Sequence, residues 1–365
     1  KTIYKTIFKN IFSLASLFSL TTLLSSSWAE PILNHDKEIG LYQTNKKTQF
    51  IKNTDILSPK SVDFVGNKMF INALEKGATV IYNTNDWTVE KTITYQFDKP
   101  DYLAIKDFPY TLDKKSFFGK PVEFTHYKNT AWIPFYRLSW DTNSRSHSAI
   151  AQIDLTDNSI KNLIPAGSIP KMIRVSPNGQ YLVNSHWGDN TVGIYRLNEK
   201  QDIVGYDYYT IDKKLNTSSI SGDRDKNCGW CLRGTVITPD NKYVIVGKMG
   251  GGGLAIINLQ TKKYIGTLYN VPLTPRHLVI SSDNQLVLST CFSGEISKIP
   301  LTTLYKNFEE LENKLIDNKQ KISLQKNDWT TIKLGSSVRT IDLSKDNKYI
   351  YAALNDSSEL AVIDY

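Results

Sequence analysis

Apolar and polar positions alternate in short blocks along most of the chain, and the blocks recur. A β-rich start leads into a polar turn, a second apolar strand, a loop and a third strand. The pattern is seen in PKSVDFVGNKMFINALEKGATVIYNT from Pro59, PKMIRVSPNGQYLVNSHWGDNTVGIYRL from Pro170 and LRGTVITPDNKYVIVGKMGGGGLAIINL from Leu232. It returns in PRHLVISSDNQLVLSTCFSGEISKIPL from Pro275 and VRTIDLSKDNKYIYAALNDSSELAVIDY from Val338, with a degenerate copy from Pro121. Segments of strand length rich in Val, Ile, Leu and Tyr predict β-strands. Pro177-Asn178-Gly179, Pro239-Asp240-Asn241 and Asp346-Asn347 predict the turns between them, because Gly, Asn and Asp tolerate positive φ.

Repeats of about fifty residues built this way stack radially as four-stranded sheets, so the expected fold is all-β, a β-propeller. Six starts are visible, at 59, 121, 170, 232, 275 and 338. Glu38–Lys52 reads as the last strands of a blade without its beginning, and the chain stops at a third strand, Leu360–Asp364. Strands from both ends are therefore expected to close the ring, giving six blades, or seven if one start is missed. Two stretches break the period. Lys200–Asn227 is a polar insertion carrying Tyr206, Tyr208 and Tyr209. Leu301–Ile322 has Leu304, Phe308, Leu311 and Leu315 at helical spacing and predicts one short inserted helix lying on the ring.

The first 29 residues have a different character. Lys1, Lys5 and Lys9 precede an apolar run from Ile11 to Leu24, and Ser27 and Ala29 satisfy the small-residue rule for signal peptidase. Residues 1–29 are read as a signal peptide, and 30–365 as a single propeller domain. The apolar run is shorter than the roughly 20 residues a spanning helix needs, so no membrane span is expected after cleavage. The expected location is periplasmic or secreted. Losing three lysines and no acid lowers the formal net charge from +8 to +5. That is a mild basic bias, which favours anionic partners without resembling a polycation.

Superposing the repeats shows where the charges fall. The residue after each start is Lys60, Val122, Lys171, Arg233, Arg276 or Arg339, so five of six are cations opening apolar strands. First strands line the channel of a propeller, which predicts a cationic ring at one mouth. The end of the second strand reads Leu74, Arg137, His186, Lys248, Cys291 and Leu354. Antiparallel pairing brings that end to the same face, so Arg137, His186 and Lys248 are expected to crown the ring, joined by His277. Such cations are ordinarily solvated or paired with neighbouring carboxylates. Repeated Arg at a convergent position points instead to a carboxylate or phosphate ligand.

Cys228-Gly229-Trp230-Cys231 in an exported chain predicts a local disulfide, because no thioredoxin-like setting surrounds it. Zinc or copper held by thiols and imidazoles, and calcium at Asp223-x-Asp225-x-Asn227, are the metal alternatives. The calcium loop lacks its Gly and Glu, so no metal site is assigned and no cofactor is expected beyond a divalent ion as the alternative. Gly250–Gly253 follows Lys248 without the ending of a P-loop, which excludes nucleotide hydrolysis on that motif. No nucleophile elbow, zincin helix or serine triad is present.

SIPKMIRVSPNGQYLVNSHWGDNTVGIYRL and SSVRTIDLSKDNKYIYAALNDSSELAVID resemble YVTN-type repeats, as in YncE-like and lactonase-like propellers. The literal tetrad is replaced by Leu182-Val183-Asn184-Ser185 and Tyr351-Ala352-Ala353-Leu354. The resemblance covers most of Pro59–Asp364 and implies the fold. Its activities range from sugar lactonases to surface-layer proteins and a DNA-binding periplasmic protein. The expected role is a non-catalytic propeller, a monomer, binding an anionic small molecule, a polyanion or an envelope protein at the basic mouth. A lactonase-like hydrolase would use Glu123 and His126 with Arg137, His186, Arg233 and His277. A third reading is an envelope scaffold that docks partners on the two insertions.

Overall fold

A computed structural model describes residues 3–6, 42–44, 50–52, 56–110, 115–138, 146–213, 215, 228–314, 321–335, 337–357 and 359–365. Six four-stranded antiparallel sheets are arranged as the blades of a β-propeller. The first blade runs Pro59–Val65, Lys68–Ala73, Ala78–Asn83 and Val89–Thr94, and the second runs from Thr125–Tyr127 to Ser159–Ser168. The third and fourth span Pro170–Val175 to Ile203–Thr210 and Leu232–Ile237 to Lys263–Leu268. The fifth joins Pro275–Ile280, Gln285–Thr290 and Glu295–Pro300 to a late fourth strand, Thr330–Lys333. Five of the six starts read from the sequence open the first strand of a blade, and the degenerate one, Pro121, makes an isolated bridge to Phe135 just before the second blade's first strand.

The sixth blade is closed by both chain ends, though not by the segment expected. Val338–Leu343, Tyr349–Leu354 and Glu359–Asp364 take Ile3–Thr6 as their outer strand, with Ile3 opposite Ile363 and Thr6 opposite Leu360. Within Glu38–Lys52, Tyr42–Thr44 pairs with Phe50–Lys52 as a separate two-stranded sheet. A local hairpin closes a far shorter loop than a return across the ring, which favours it entropically. The polar insertion also needs correcting. Ile203–Thr210 is the regular fourth strand of the third blade, paired along Thr191–Leu197. An outer strand has solvent beside it and so tolerates the polar composition that suggested a loop.

The core lies between blades. Phe70, Ile81 and Tyr95 of the first blade pack on Phe124, Ile133 and Phe135 of the second. Equivalent clusters join the second to the third, the third to the fourth, the fourth to the fifth and the fifth to the sixth. Among the described residues no such cluster joins the sixth blade to the first, which has its own buried group of Ile56, Met69, Ile71, Val80 and Tyr82. Helix α1, Leu301–Lys314, lies where its spacing predicts. Leu304 and Phe308 are fully buried in the cluster between the fourth and fifth blades.

A single backbone device repeats at the start of the blades. The pairing of first and second strands skips a residue at Lys60, Lys171, Arg276 and Arg339, and skips Arg233 with Gly234 in the fourth blade. Each is a β-bulge, which leaves one residue unpaired and re-aims its side chain. The cations noted in the repeats are the bulged residues. This is why a charged side chain can open an apolar strand without entering the core.

Candidate functional site

The channel holds a cavity of about 720 Å³ lined by the first strands of five blades, including Lys60, Asp63, Glu123, Arg174, His277 and Asp342. The first strands of the third to fifth blades are largely buried, whereas those of the first and sixth alternate with exposed positions. The cavity therefore opens towards the sixth and first blades.

At the bulged tier, Lys60, Arg233, Arg276 and Arg339 come within electrostatic range of one another. Lys60 reaches solvent through the mouth, yet burial of its stem and repulsion from Arg233, Arg276 and Arg339 lower its pKa to about 8. Burial, then repulsion from Arg233, lowers Arg276 to about 9. Arg276 is 6% exposed. Its Nε donates to the Arg339 carbonyl at 3.1 Å, and one terminal nitrogen contacts the Met249 sulfur at 3.8 Å. Among the described residues, Lys60, Arg276 and Arg339 make no direct ion pair with a carboxylate. A buried guanidinium without an anion is costly, so this tier is poised to receive one.

A second tier lies below. The position three residues beyond each member of that column, Val122 included, reads Asp63, Thr125, Arg174, Val236, Val279 and Asp342, and five of these six line the cavity. Burial, then repulsion from Glu123, raises Asp63 to about 7. Glu123 is raised by burial and held back by Arg174, Arg233, Lys60 and Arg276, so it is the internal counter-charge shared by both tiers. Asn72 fixes this wall, donating to the Ser61 hydroxyl at 2.8 Å and to the Glu123 carbonyl at 2.9 Å. His277 stands between the tiers, 7% exposed. Burial and the Arg174, Arg233 and Arg276 charges push its pKa well down, so the ring is neutral at pH 7. Its Nε2 lies 3.4 Å from an Arg174 nitrogen, and burial likewise lowers His126 at the lower rim.

The other predicted site residues lie elsewhere. Lys171 turns its ammonium over the Tyr136 ring at 3.9 Å, and the Arg137 guanidinium stacks on the same ring at 4.8 Å. These two form a separate cation–π group beside Trp187. His186 is opposite Pro170 in register, as antiparallel pairing requires, but its ring is fully buried inside the third blade. It meets the Thr191 hydroxyl at 2.8 Å and the Asn184 side-chain oxygen at 2.9 Å. Lys248 is 1% exposed and reaches back to the Asp212 carboxylate at 2.6 Å, tying the fourth blade to the third. Position along the strand predicted the face of His186 and Lys248 correctly, while side-chain direction took both away from the channel.

Cys228 and Cys231 form a disulfide, buried against Ile169 and Trp187. Cys291 is free and buried, close enough to Arg276 to interact with its charge. The described residues hold no cluster of three or more His, Cys, Asp or Glu able to bind a metal. Asp223, Asp225 and Asn227 lie outside the described residues. Arg174, Asp63 and Asp342 were missed in the sequence. Their signal was the same superposition, read one further column along the strand.

No protein-family pattern matches the chain, and no curated protein does. Solved structures similar to it include the virginiamycin B lyase from Staphylococcus aureus, at 12% identity and a TM-score of 0.53, with 89% of this chain and 87% of that one covered. The β-propeller domain of Cps50 (Swd1) from Myceliophteria thermophila matches at 13% identity and 0.53, covering 84% and 83%. A chain of the mitotic checkpoint complex matches at 12% and 0.54, covering 87% and 79%. These likenesses show the propeller fold and span unrelated roles.

Proposed function

We propose that this propeller binds an anionic ligand at the channel mouth, held by Lys60, Arg233, Arg276 and Arg339. The observation that carries the reading is a group of four cations in mutual electrostatic range, with Lys60 lining the cavity, of which Lys60, Arg276 and Arg339 have no directly paired carboxylate among the described residues. An anion there offsets the burial and the mutual repulsion that together lower the pKa values of Lys60 and Arg276. Guanidinium forks suit carboxylate or phosphate. The protein is read as exported, periplasmic or secreted, monomeric, and of YncE-like YVTN-repeat ancestry. Calorimetry with inorganic phosphate, citrate and polyphosphate tests the site. Affinity should fall with added salt and drop at least about tenfold in Arg233→Ala/Arg276→Ala. Unchanged affinity in that variant rejects the reading.

A second reading is supported by Asp63, whose pKa of about 7 suits an acid–base group and which faces the cavity shared with His126 and His277. A lactonase-like hydrolase would use it. Purified protein opening no sugar lactone, with or without divalent metal, removes that reading.

A further inference from the structure

We propose that the seam between the sixth and first blades is an intramolecular docking surface, whose occupant is this chain's own hairpin, Tyr42–Thr44 paired with Phe50–Lys52. The inference does not depend on the anion-binding reading.

The first blade has two apolar faces. Phe70 and Ile81, opposite one another in register, belong to the cluster packed on the second blade. On the other face Val62, Ile71 and Val80 form one row across the strands, because residues opposite in an antiparallel ladder share a side. Phe64, Met69, Tyr82 and Val89 form the next row. Val62, Phe64 and Val89 are exposed, three of the six large apolar side chains that are so among the described residues. The sixth blade is also one-sided. Ile341, Ala352 and Ala361 are buried in the cluster with the fifth blade, while Thr340, Asp342 and Ala353 on the opposite face are exposed. Every other pair of consecutive blades is joined by a buried apolar cluster. An apolar face left open in such a ring marks an interaction surface.

Connectivity names what covers it. Ile3–Thr6 lies on the outer edge of the sixth blade and Ile56 is buried on the first, so the chain between them passes from one side of the seam to the other. That stretch is about fifty residues long, the length of one repeat. Its exit is fixed, because the Leu74 and Glu75 amides donate to the Ser58 and Leu57 carbonyls at 3.0 and 3.3 Å. Lys52 precedes Ile56 by four residues, which span at most about 14 Å when fully extended. The hairpin is therefore tethered beside the open face. A two-stranded hairpin is marginally stable alone in water, and its strands carry Tyr42, Phe50 and Ile51. Hairpin and face each lack what the other supplies. A second copy or a foreign strand would compete with a segment held at high effective concentration by its tether. Seated in the seam, the hairpin walls the cavity on its open side, where Val62, Thr340 and Asp342 line it. It lies beyond the predicted cleavage point, so loss of residues 1–29 leaves it in place.

Hydrogen exchange on the full chain tests this, with sedimentation to report the oligomeric state. In the parent, the amides of Gln43, Thr44 and Phe50–Lys52 should exchange at least about tenfold more slowly than those of an unstructured chain. Val62→Asp/Phe64→Asp should remove that protection, while the amides of Leu254–Asn258 in the fourth blade change by less than about twofold. Thermal unfolding confirms that the variant folds. If it does not, Val89→Asp, on the exposed outer strand of the same face, replaces it with the same expectation. Hairpin amides equally protected in both proteins overturn the proposal, and so do hairpin amides unprotected in the parent, which leave the face to a partner. A parent dimer that the variant dissociates also overturns it, by assigning the face to a second copy.

Discussion

At the scale of single residues, the channel couples binding chemistry to stability through Asp63. Its carboxyl titrates at about 7 in the fold and near 3.9 in an unfolded chain, so the folded protein holds the extra proton between those values. Its contribution to stability is therefore largest below about pH 4, declines as pH rises towards 7, and above that is a fixed cost. Lys60 behaves in the opposite sense. With a folded pKa of about 8, its charge is disfavoured in the fold, and its contribution improves as pH climbs from there to about 10.4. Asp63→Asn removes the acid-side effect. The variant should be more stable than the parent by on the order of 2 kcal/mol at pH 8, with the gap closing towards pH 5. Thermal unfolding of both proteins across that range checks it. Lys248 gives a contrasting case. Asp212→Ala leaves its buried ammonium without a carboxylate, held only by the Thr267 hydroxyl and the Trp230 and Tyr269 rings, which should cost about 3 kcal/mol in denaturant unfolding and leave phosphate affinity unchanged.

At the scale of elements, the β-bulge and the inserted helix carry the interpretation. The bulge turns Lys60, Lys171, Arg233, Arg276 and Arg339 out of the ladder, yet only four of them come within electrostatic range of one another, with Lys60 at the cavity, because Lys171 folds onto Tyr136. Helix α1 interrupts the fifth blade between its third and fourth strands and holds its place by burying Leu304 and Phe308. Phe308→Ala should lower unfolding free energy by about 3–4 kcal/mol, the usual cost of a cavity where an aromatic ring was fully buried. Its anion affinity should stay within about twofold at a temperature where the variant is folded, since the helix lies on the ring rather than in the channel.

For the whole molecule, the notable feature is how the sixth blade is completed. Ile3–Thr6, its outer strand, falls inside the segment predicted for removal by signal peptidase. A chain beginning at Glu30 should therefore exchange the amides of Leu360–Ile363 faster than the full chain, by hydrogen exchange. Full protection in the shorter chain would mean that another segment has taken the outer position, the role the sequence suggests for Glu38–Lys52. The cavity is lined by residues of five blades, none of them on that strand.

Repetition made the fold legible. Six copies of one pattern specify six blades, because a period-two strand pattern separated by Asn, Asp and Gly turns has few other ways to bury its apolar face. The same superposition exposed the column of cations and, one step further along, the column of Asp63, Arg174 and Asp342. Side-chain direction was not legible. His186 and Lys248 occupy equivalent strand ends, but whether such a side chain enters the channel, the blade interior or the next blade depends on neighbours remote in sequence, Thr191 for one and Asp212 for the other. The sequence alone thus determined the repeat, the inner three strands of most blades, the disulfide pair and the charge at each bulge. Only the tertiary structure decided which charges share a cavity, because that depends on packing between blades rather than on position within one.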